Sequence, residues 1–288
     1  MKKRLLLFVS IAFILNACIK NNPDPAWIEV NEWTIQANPE LSGAEGELSH
    51  NISDAWVYVN DDLIGVFQVP FKIPVLKSGQ ADIKIYPTVR NNGISATKKI
   101  YPFMDVYEIS ANLVQNQTLV INPVTKYKSG LNFWIEDFED ANMKIVNDPN
   151  TSAAHIHFAN SNLQWFNGNA YGEVLLNSTD STWIAYTNEQ LVISKGLECY
   201  LEVDYHVTNN LTTGLIYVNA NGSQNNINIR LNAQADTATN WKKIYIDLKE
   251  LITASPTNTS FLQSFAASLD EGKTNSKIQI DNIKVIHF

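Results

Sequence analysis

From about Trp27 to its end, this chain alternates apolar and polar residues with a period of two, and that pattern restricts it to β-structure. β-Branched and aromatic residues alternate with polar ones, and Asn, Gly, Asp and Pro punctuate the runs. Helical periodicity is nearly absent: residues 248–253 predict a single turn, and 261–269 predict another. The chain therefore reads as all-β, organised as two tandem β-sandwiches, the second a jelly roll. Expected boundaries are a leader at 1–17, a linker at 18–28, a first sandwich at 29–127 and a second at 128–288. A polar Lys-Tyr-Lys-Ser-Gly run at 126–130 separates the last two.

The leader begins with Lys2, Lys3 and Arg4, continues through an apolar stretch at 5–15, and ends at Leu15-Asn16-Ala17-Cys18. It is too short for a stable membrane span and has the anatomy of a secretory signal. Leu15 to Cys18 resembles the lipobox of bacterial lipoproteins, which implies cleavage before Cys18 and acylation of its sulfur. Several acyl chains make a firm membrane anchor where one is marginal. Ile19 follows Cys18 in place of the Asp that retains lipoproteins at the inner membrane, so the expected destination is the outer membrane. Asp180-Ser-Thr and Asp236-Thr-Ala resemble an O-glycosylation pattern of Bacteroidetes envelope proteins.

The chain carries 21 basic and 29 acidic residues, a net charge of −8, and loss of the leader's three cations takes it to −11. No basic stripe offsets this charge, so nucleic acid is excluded as a partner. With Cys18 acylated, Cys199 is the remaining thiol and no intrachain disulfide forms; its apolar neighbours make it a buried core residue.

In the first sandwich, residues 55–60, a turn at Asp61-Asp62, and 63–67 read as a hairpin, with further strands at 71–76 and 81–86. Val57-Tyr-Val-Asn-Asp-Asp-Leu-Ile-Gly, Pro70, Ile73-Pro74, Gly79 and Ile83-Lys84-Ile85 resemble the PEGA-type sandwich repeat. That resemblance implies a stalk or contact module without catalysis. The second sandwich opens with Asp137-Phe-Glu139, continues with Gly168-Asn-Ala-Tyr-Gly-Glu-Val, and closes with Asp281-Asn-Ile-Lys-Val. These resemble galactose-binding-like jelly rolls, including many carbohydrate-binding modules. The resemblance implies a structural calcium held by Glu139 and Asp281, whose carboxylates are the hard ligands that ion takes.

Strand alternation sends Tyr200, Glu202, Asp204 and His206 outward from one strand, and Asn226, Asn228, Arg230 and Asn232 outward from another. Two readings stand. These rows are the solvated faces of antiparallel strands, or Glu202, Asp204, His206, Asn228 and Arg230 are directional contacts to sugar hydroxyls. In the second reading Trp165 and Trp183, with Tyr200 and Tyr217, supply flat stacking platforms. Trp165 alternatively plugs one end of the sandwich. His155 and His157 share a strand face without a third metal ligand. There is no nucleophile elbow, no His-Glu-x-x-His and no phosphate-cradling loop, so the chain is read as non-enzymatic. Three functions follow in order: an anchored glycan binder, a structural accessory of an envelope protein complex, and a glycoside-active enzyme.

Overall fold

The computed structural model describes residues 24–160, 168 and 170–288. Cys18 with its leader, and Trp165, lie outside the described residues.

The first ten strands are β1 (Ala26–Val30), β2 (Thr34–Ile35), β3 (Asp54–Val59), β4 (Asp62–Gln68), β5 (Phe71–Val75), β6 (Gly79–Arg90), β7 (Lys98–Ile100), β8 (Tyr107–Leu113), β9 (Thr118–Ile121) and β10 (Val124–Thr125). One sheet runs β4-β3-β6-β7, with β8 also on β6; it is opposed by β5-β1-β9 and the short β10-β2 pair. Ala55, Val57, Val59, Ile83 and Ile85 point between the layers and are buried, as period-two strands require. The hairpin turn falls at Asn60-Asp61, with φ of 51° and 64°, one residue before the expected place. Two-residue hairpins of this type need positive φ at both central positions, which Asn and Asp tolerate, and Asp62 is already paired with Val59. β1 starts at Ala26, within the last residues of the expected linker.

The remaining strands are β11 (Asn132–Glu136), β12 (Ile145–Asn147), β13 (His157–Asn160), β14 (Ala170–Asn177), β15 (Thr182–Thr187), β16 (Cys199–Val207), β17 (Leu211–Asn219), β18 (Gly222–Leu231), β19 (Lys242–Asp247), β20 (Ser260–Ser268) and β21 (Asn275–His287). A six-stranded sheet, β13-β14-β21-β16-β19 with β11 on β21, faces a five-stranded sheet, β12-β15-β20-β17-β18. Helix α1 (Lys249–Ala254) is the expected single turn. The second expected turn is absent: 261–269 mostly belongs to β20, where Phe261, Gln263, Phe265 and Ala267 face inward. Alternation at every second residue outweighs the weak helical spacing there.

Each sandwich has its own core, but the first core does not stop at its own residues. Tyr200, Tyr245 and Ile286 leave the outer face of the six-stranded sheet and join Tyr101, Phe103 and Tyr127 of the first sandwich. The rings meet edge-on, Tyr101 to Tyr200 at 5.3 Å and Tyr101 to Tyr245 at 4.9 Å between centroids, an arrangement suited to aromatic quadrupoles. Beside them, the loop after β6 clasps edge strand β19: Asn92 donates to the Tyr245 carbonyl at 2.9 Å and accepts from the Asp247 backbone at 2.9 Å.

Candidate functional site

The expected outward row on β16 does leave its own sandwich. Leu201, Val203 and Val207 enter the core of that sandwich, while Glu202, Asp204 and His206 take the other face. The first sandwich covers the part of this face around Glu202 and leaves the part around Glu173 and Gln279 open. The outer face of the six-stranded sheet is thus split into two environments.

In the covered part, Glu202 is 0% exposed and lacks nothing. It accepts from the Tyr101 hydroxyl at 2.6 Å, the Tyr127 hydroxyl at 3.0 Å and Lys243 Nζ at 3.0 Å. Burial alone raises its carboxyl, but the Lys243 and Lys284 ammoniums and the tyrosine hydroxyl outweigh that and hold it below the ordinary range. Lys284 donates to the backbone carbonyls of Glu45 and Glu47. Burial, with Lys243 beside it, pushes Lys284 down to about 8. Asp281 is pushed up to about 8, first by burial and then, against the Asn282 N–H it accepts, by Asp204, Glu47 and Asp137. Glu202 is therefore an interface residue and cannot touch a ligand in solution.

In the open part, a polar row crosses four strands. His157 on β13 pairs with Glu173 on β14, which pairs with Gln279 on β21, which pairs with His206 on β16. The side chains join along it: His157 Nε2 lies 3.5 Å from Glu173, Gln279 Nε2 donates to Glu173 at 2.7 Å, and His206 Nδ1 meets Gln279 Oε1 at 2.8 Å. Two half-buried aromatic side chains flank it, Tyr171 and Trp241, with centroids 5.4 Å apart. Gln279 Nε2 also donates to the Tyr171 hydroxyl at 3.1 Å. The network locks these side chains in place, as recognition requires.

Where the open part meets the first sandwich, a cleft of about 780 Å³ opens between the two sandwiches. Trp241, Tyr205 and Asp204 line it from the second sandwich; His50, Asn51 and Arg90 line it from the first. Asp204 sits at its base, accepting from Ser49 Oγ, with Lys243 3.7 Å away. Burial and the Lys243 charge lower His50, so its imidazole is neutral at physiological pH. The buried His50 Nδ1 has no hydrogen-bond partner among the described residues. Domain interfaces of this kind, with rings and a few convergent polar groups, are where small molecules bind. Asp204 is the one carboxylate lining the cleft among the described residues, and glycoside hydrolysis needs a facing pair.

The structure does not bring the expected site residues together. β18 pairs with β17 at the edge of the five-stranded sheet, so Asn228 and Arg230 lie on the opposite sheet from β16. A β-bulge there puts Gly214 opposite Ile227 and Thr212 opposite Arg230. The extra residue turns Ile227, expected inside, out to 74% exposure, and Asn228 is half-buried, its Nδ2 buried without a hydrogen-bond partner. Arg230 instead lines a separate shallow groove with Thr212, Asp270 and Glu271. Trp183 is 0% exposed, stacked on Phe265 and donating to Asn147, so it is core and not a platform. Tyr200 is likewise buried in the interface, and Tyr217 packs on the core with its hydroxyl on Gln224. Cys199 is buried and free, its thiol pushed up by burial.

Among the described residues no three His, Cys, Asp or Glu side chains are grouped to hold a metal. Glu139 accepts from the Ala170 N–H at 2.8 Å, and Asp281 is buried beside Asn282. The residues that do converge, Trp241, Tyr171, Gln279, Glu173, His50 and Arg90, were not marked by the sequence. Trp241 stands just before β19, where one aromatic among polar residues gives no sign of its surroundings. Asp204 is the one expected contact on β16 that lines the cleft, while His206 is buried with its ring nitrogens on Gln279 and the Ala238 carbonyl.

No protein-family model matches the chain, and no curated protein matches it. Solved structures do match. The CBM22-2 xylan-binding domain from Paenibacillus barcinonensis is 15% identical over 54% of this chain and 99% of that chain, at a TM-score of 0.39. A CBM22-1–GH10 structure of a Clostridium thermocellum endo-1,4-beta-D-xylanase is 15% identical over 54% of this chain and 28% of that chain, at 0.38. A structure of carbohydrate-binding modules of the β-sandwich superfamily is 14% identical over 81% of this chain and 84% of that chain, at 0.39. The chain's own sheets, six strands facing five beside the smaller first sandwich, make it an all-β protein of the β-sandwich and jelly-roll class.

Proposed function

We propose that this protein is an acyl-anchored lipoprotein of a bacterial outer membrane that binds an oligosaccharide in the cleft between its two sandwiches. The carrying observation is the convergence at the cleft: the Trp241 ring, with polar side chains of both sandwiches around it and the Glu173–Gln279–His206 network alongside. A ring face shields the apolar side of a sugar, and fixed amide, imidazole and guanidinium groups read its hydroxyls. Cys18 with its leader supports the anchor. In this reading the first sandwich is no mere stalk, because it supplies His50, Asn51 and Arg90.

Isothermal titration of the full chain carrying Cys18→Ser, against xylan, mixed-linkage glucan, mannan and bacterial envelope polysaccharides, tests the proposal. One of these binds, and Trp241→Ala weakens that binding at least roughly tenfold, about 1.4 kcal/mol, with unfolding unchanged. Failure of every glycan to bind, or binding indifferent to Trp241→Ala, defeats it.

A further inference from the structure

The first sandwich has a pole at which the chain arrives from Cys18. β1 begins there at Ala26, opposite Val75 at the end of β5, and Trp27 lies beside Thr118 at the start of β9. The loops at 76–78 and 114–117 therefore flank the arriving chain. Asn116 holds it, donating from its backbone to the Pro25 carbonyl at 2.9 Å and from its side chain to Asp24 at 3.0 Å. The Asn60-Asp61 turn reaches the same pole, since Lys77 Nζ donates to the Val59 carbonyl at 3.0 Å and pairs with Asp62 at 2.5 Å.

Three aliphatic side chains stand out around this pole: Leu76 at 66% exposure, Leu63 at 50% and Val114 at 39%. Each sits on a different loop or turn flank, and none has a core to join. Lys77 pairs with Asp62 and Lys84 with Asp61 at 2.7 Å, while Asp24 and Asp82 accept from the neutral Asn116 and Ser110, so the pole suits zwitterionic lipid and relies on its apolar side chains and the tether. Cys18 and Asp24 are six residues apart, at most about 20 Å when extended. A tether that short keeps the pole at a high local concentration of bilayer surface.

We propose that this pole docks on the membrane, with Leu76, Val114 and Leu63 entering the headgroup layer as a second contact beside the acyl chains. The inference rests on the acylation of Cys18 proposed above. It gives the molecule a fixed orientation. β6 runs from Gly79 at the pole to Arg90 at the cleft, and its 12 residues hold the cleft roughly 35 Å from the lipid.

The test uses the acylated full chain in phosphatidylethanolamine–phosphatidylglycerol vesicles, labelled with an environment-sensitive dye at Leu76→Cys, Val114→Cys or, as a distant control, Val192→Cys. Val192 is 83% exposed in the second sandwich. Docking predicts flotation with the vesicles and several-fold slower iodide quenching at positions 76 and 114 than at 192. Flotation with equal quenching at all three positions overturns docking and leaves the anchor standing. Failure of the full chain to float overturns both.

Discussion

Strands β16 and β21 run through both environments of one sheet face, and only the neighbour changes along them. Glu202 and Lys284 sit under the first sandwich at 0% exposure, while further along the same two strands Gln279 is half-buried and His206 lies beneath it, held by Gln279 and the Ala238 carbonyl. In both places a carboxylate takes part in a network: Glu202 with two tyrosines and a lysine, Glu173 with Gln279 and His157. The difference in cost is what separates structure from recognition here. A charge under the first sandwich is stable only with all its partners, whereas one in the open row can exchange a partner for water or ligand.

Matched carboxylate-to-amide substitutions put numbers on that contrast. Glu202→Gln removes the nearer carboxylate of Lys243 and leaves it Asp204 at 3.7 Å in a dry interface, and urea unfolding should show a loss of roughly 3 kcal/mol. The comparison fails if the loss is under about 1 kcal/mol, the range of an exposed pair.

Asp281, at the border, should give a pH signature of intermediate size. Its carboxyl rises from an ordinary 3.8 to about 8 in the fold. The folded state therefore holds a proton that the unfolded chain releases, so this stabilising contribution is complete below pH 3.8 and declines through pH 8. Glu202 acts below its ordinary 4.5, and Lys284, lowered to about 8, acts above that value. Within pH 5 to 8 His50, lowered from 6.5, works in the opposite direction and Glu136, raised from 4.5, in the same direction, so the difference between the variant and the parent chain is what isolates Asp281. Asp281→Asn, which keeps the acceptor for the Asn282 N–H, should flatten the fall in Tm across that span by several degrees, as differential scanning calorimetry would show. An unchanged slope would mean that Asp281 is ionised in the fold.

Glu173→Gln should be the mildest. An amide oxygen still accepts from Gln279, and the His157 partner is about half exposed, so stability should change by less than about 0.5 kcal/mol. Binding in the cleft is the readout that should move, and equal losses of stability at Glu173 and Glu202 would erase the distinction between the two parts.

The sequence made these strands legible and their surroundings illegible, for a physical reason. Alternation reports which side of a strand faces its own core, so Leu201, Val203 and Val207 were readable as inward and Glu202, Asp204 and His206 as outward. It carries no information about what a second sandwich covers, and the buried role of Glu202 arises from tyrosines about 75 and 100 residues earlier in the chain. The bulge in β18 defeats the same rule locally, because one extra residue between Ile227 and Arg230 reverses the side chains before it relative to those after it: Leu231 stays inward and Ile227 emerges where period two places it inside. Trp183 obeys alternation; its reading as a platform came from residue type, and the inward position between Thr182 and Ile184 decides against it. The jelly-roll class was legible because it needs only pattern and punctuation. The cleft was not, since it is made by docking two surfaces that lie far apart in the chain.

The clasp of Asn92 on β19 and the Tyr101 and Tyr127 hydroxyls on Glu202 together act as a hinge fastened shut. Two sandwiches joined by a free linker would have to be brought together by each ligand, with loss of rotational freedom at every binding event. Here that ordering is done once, during folding, and a ligand meets walls already at their final separation.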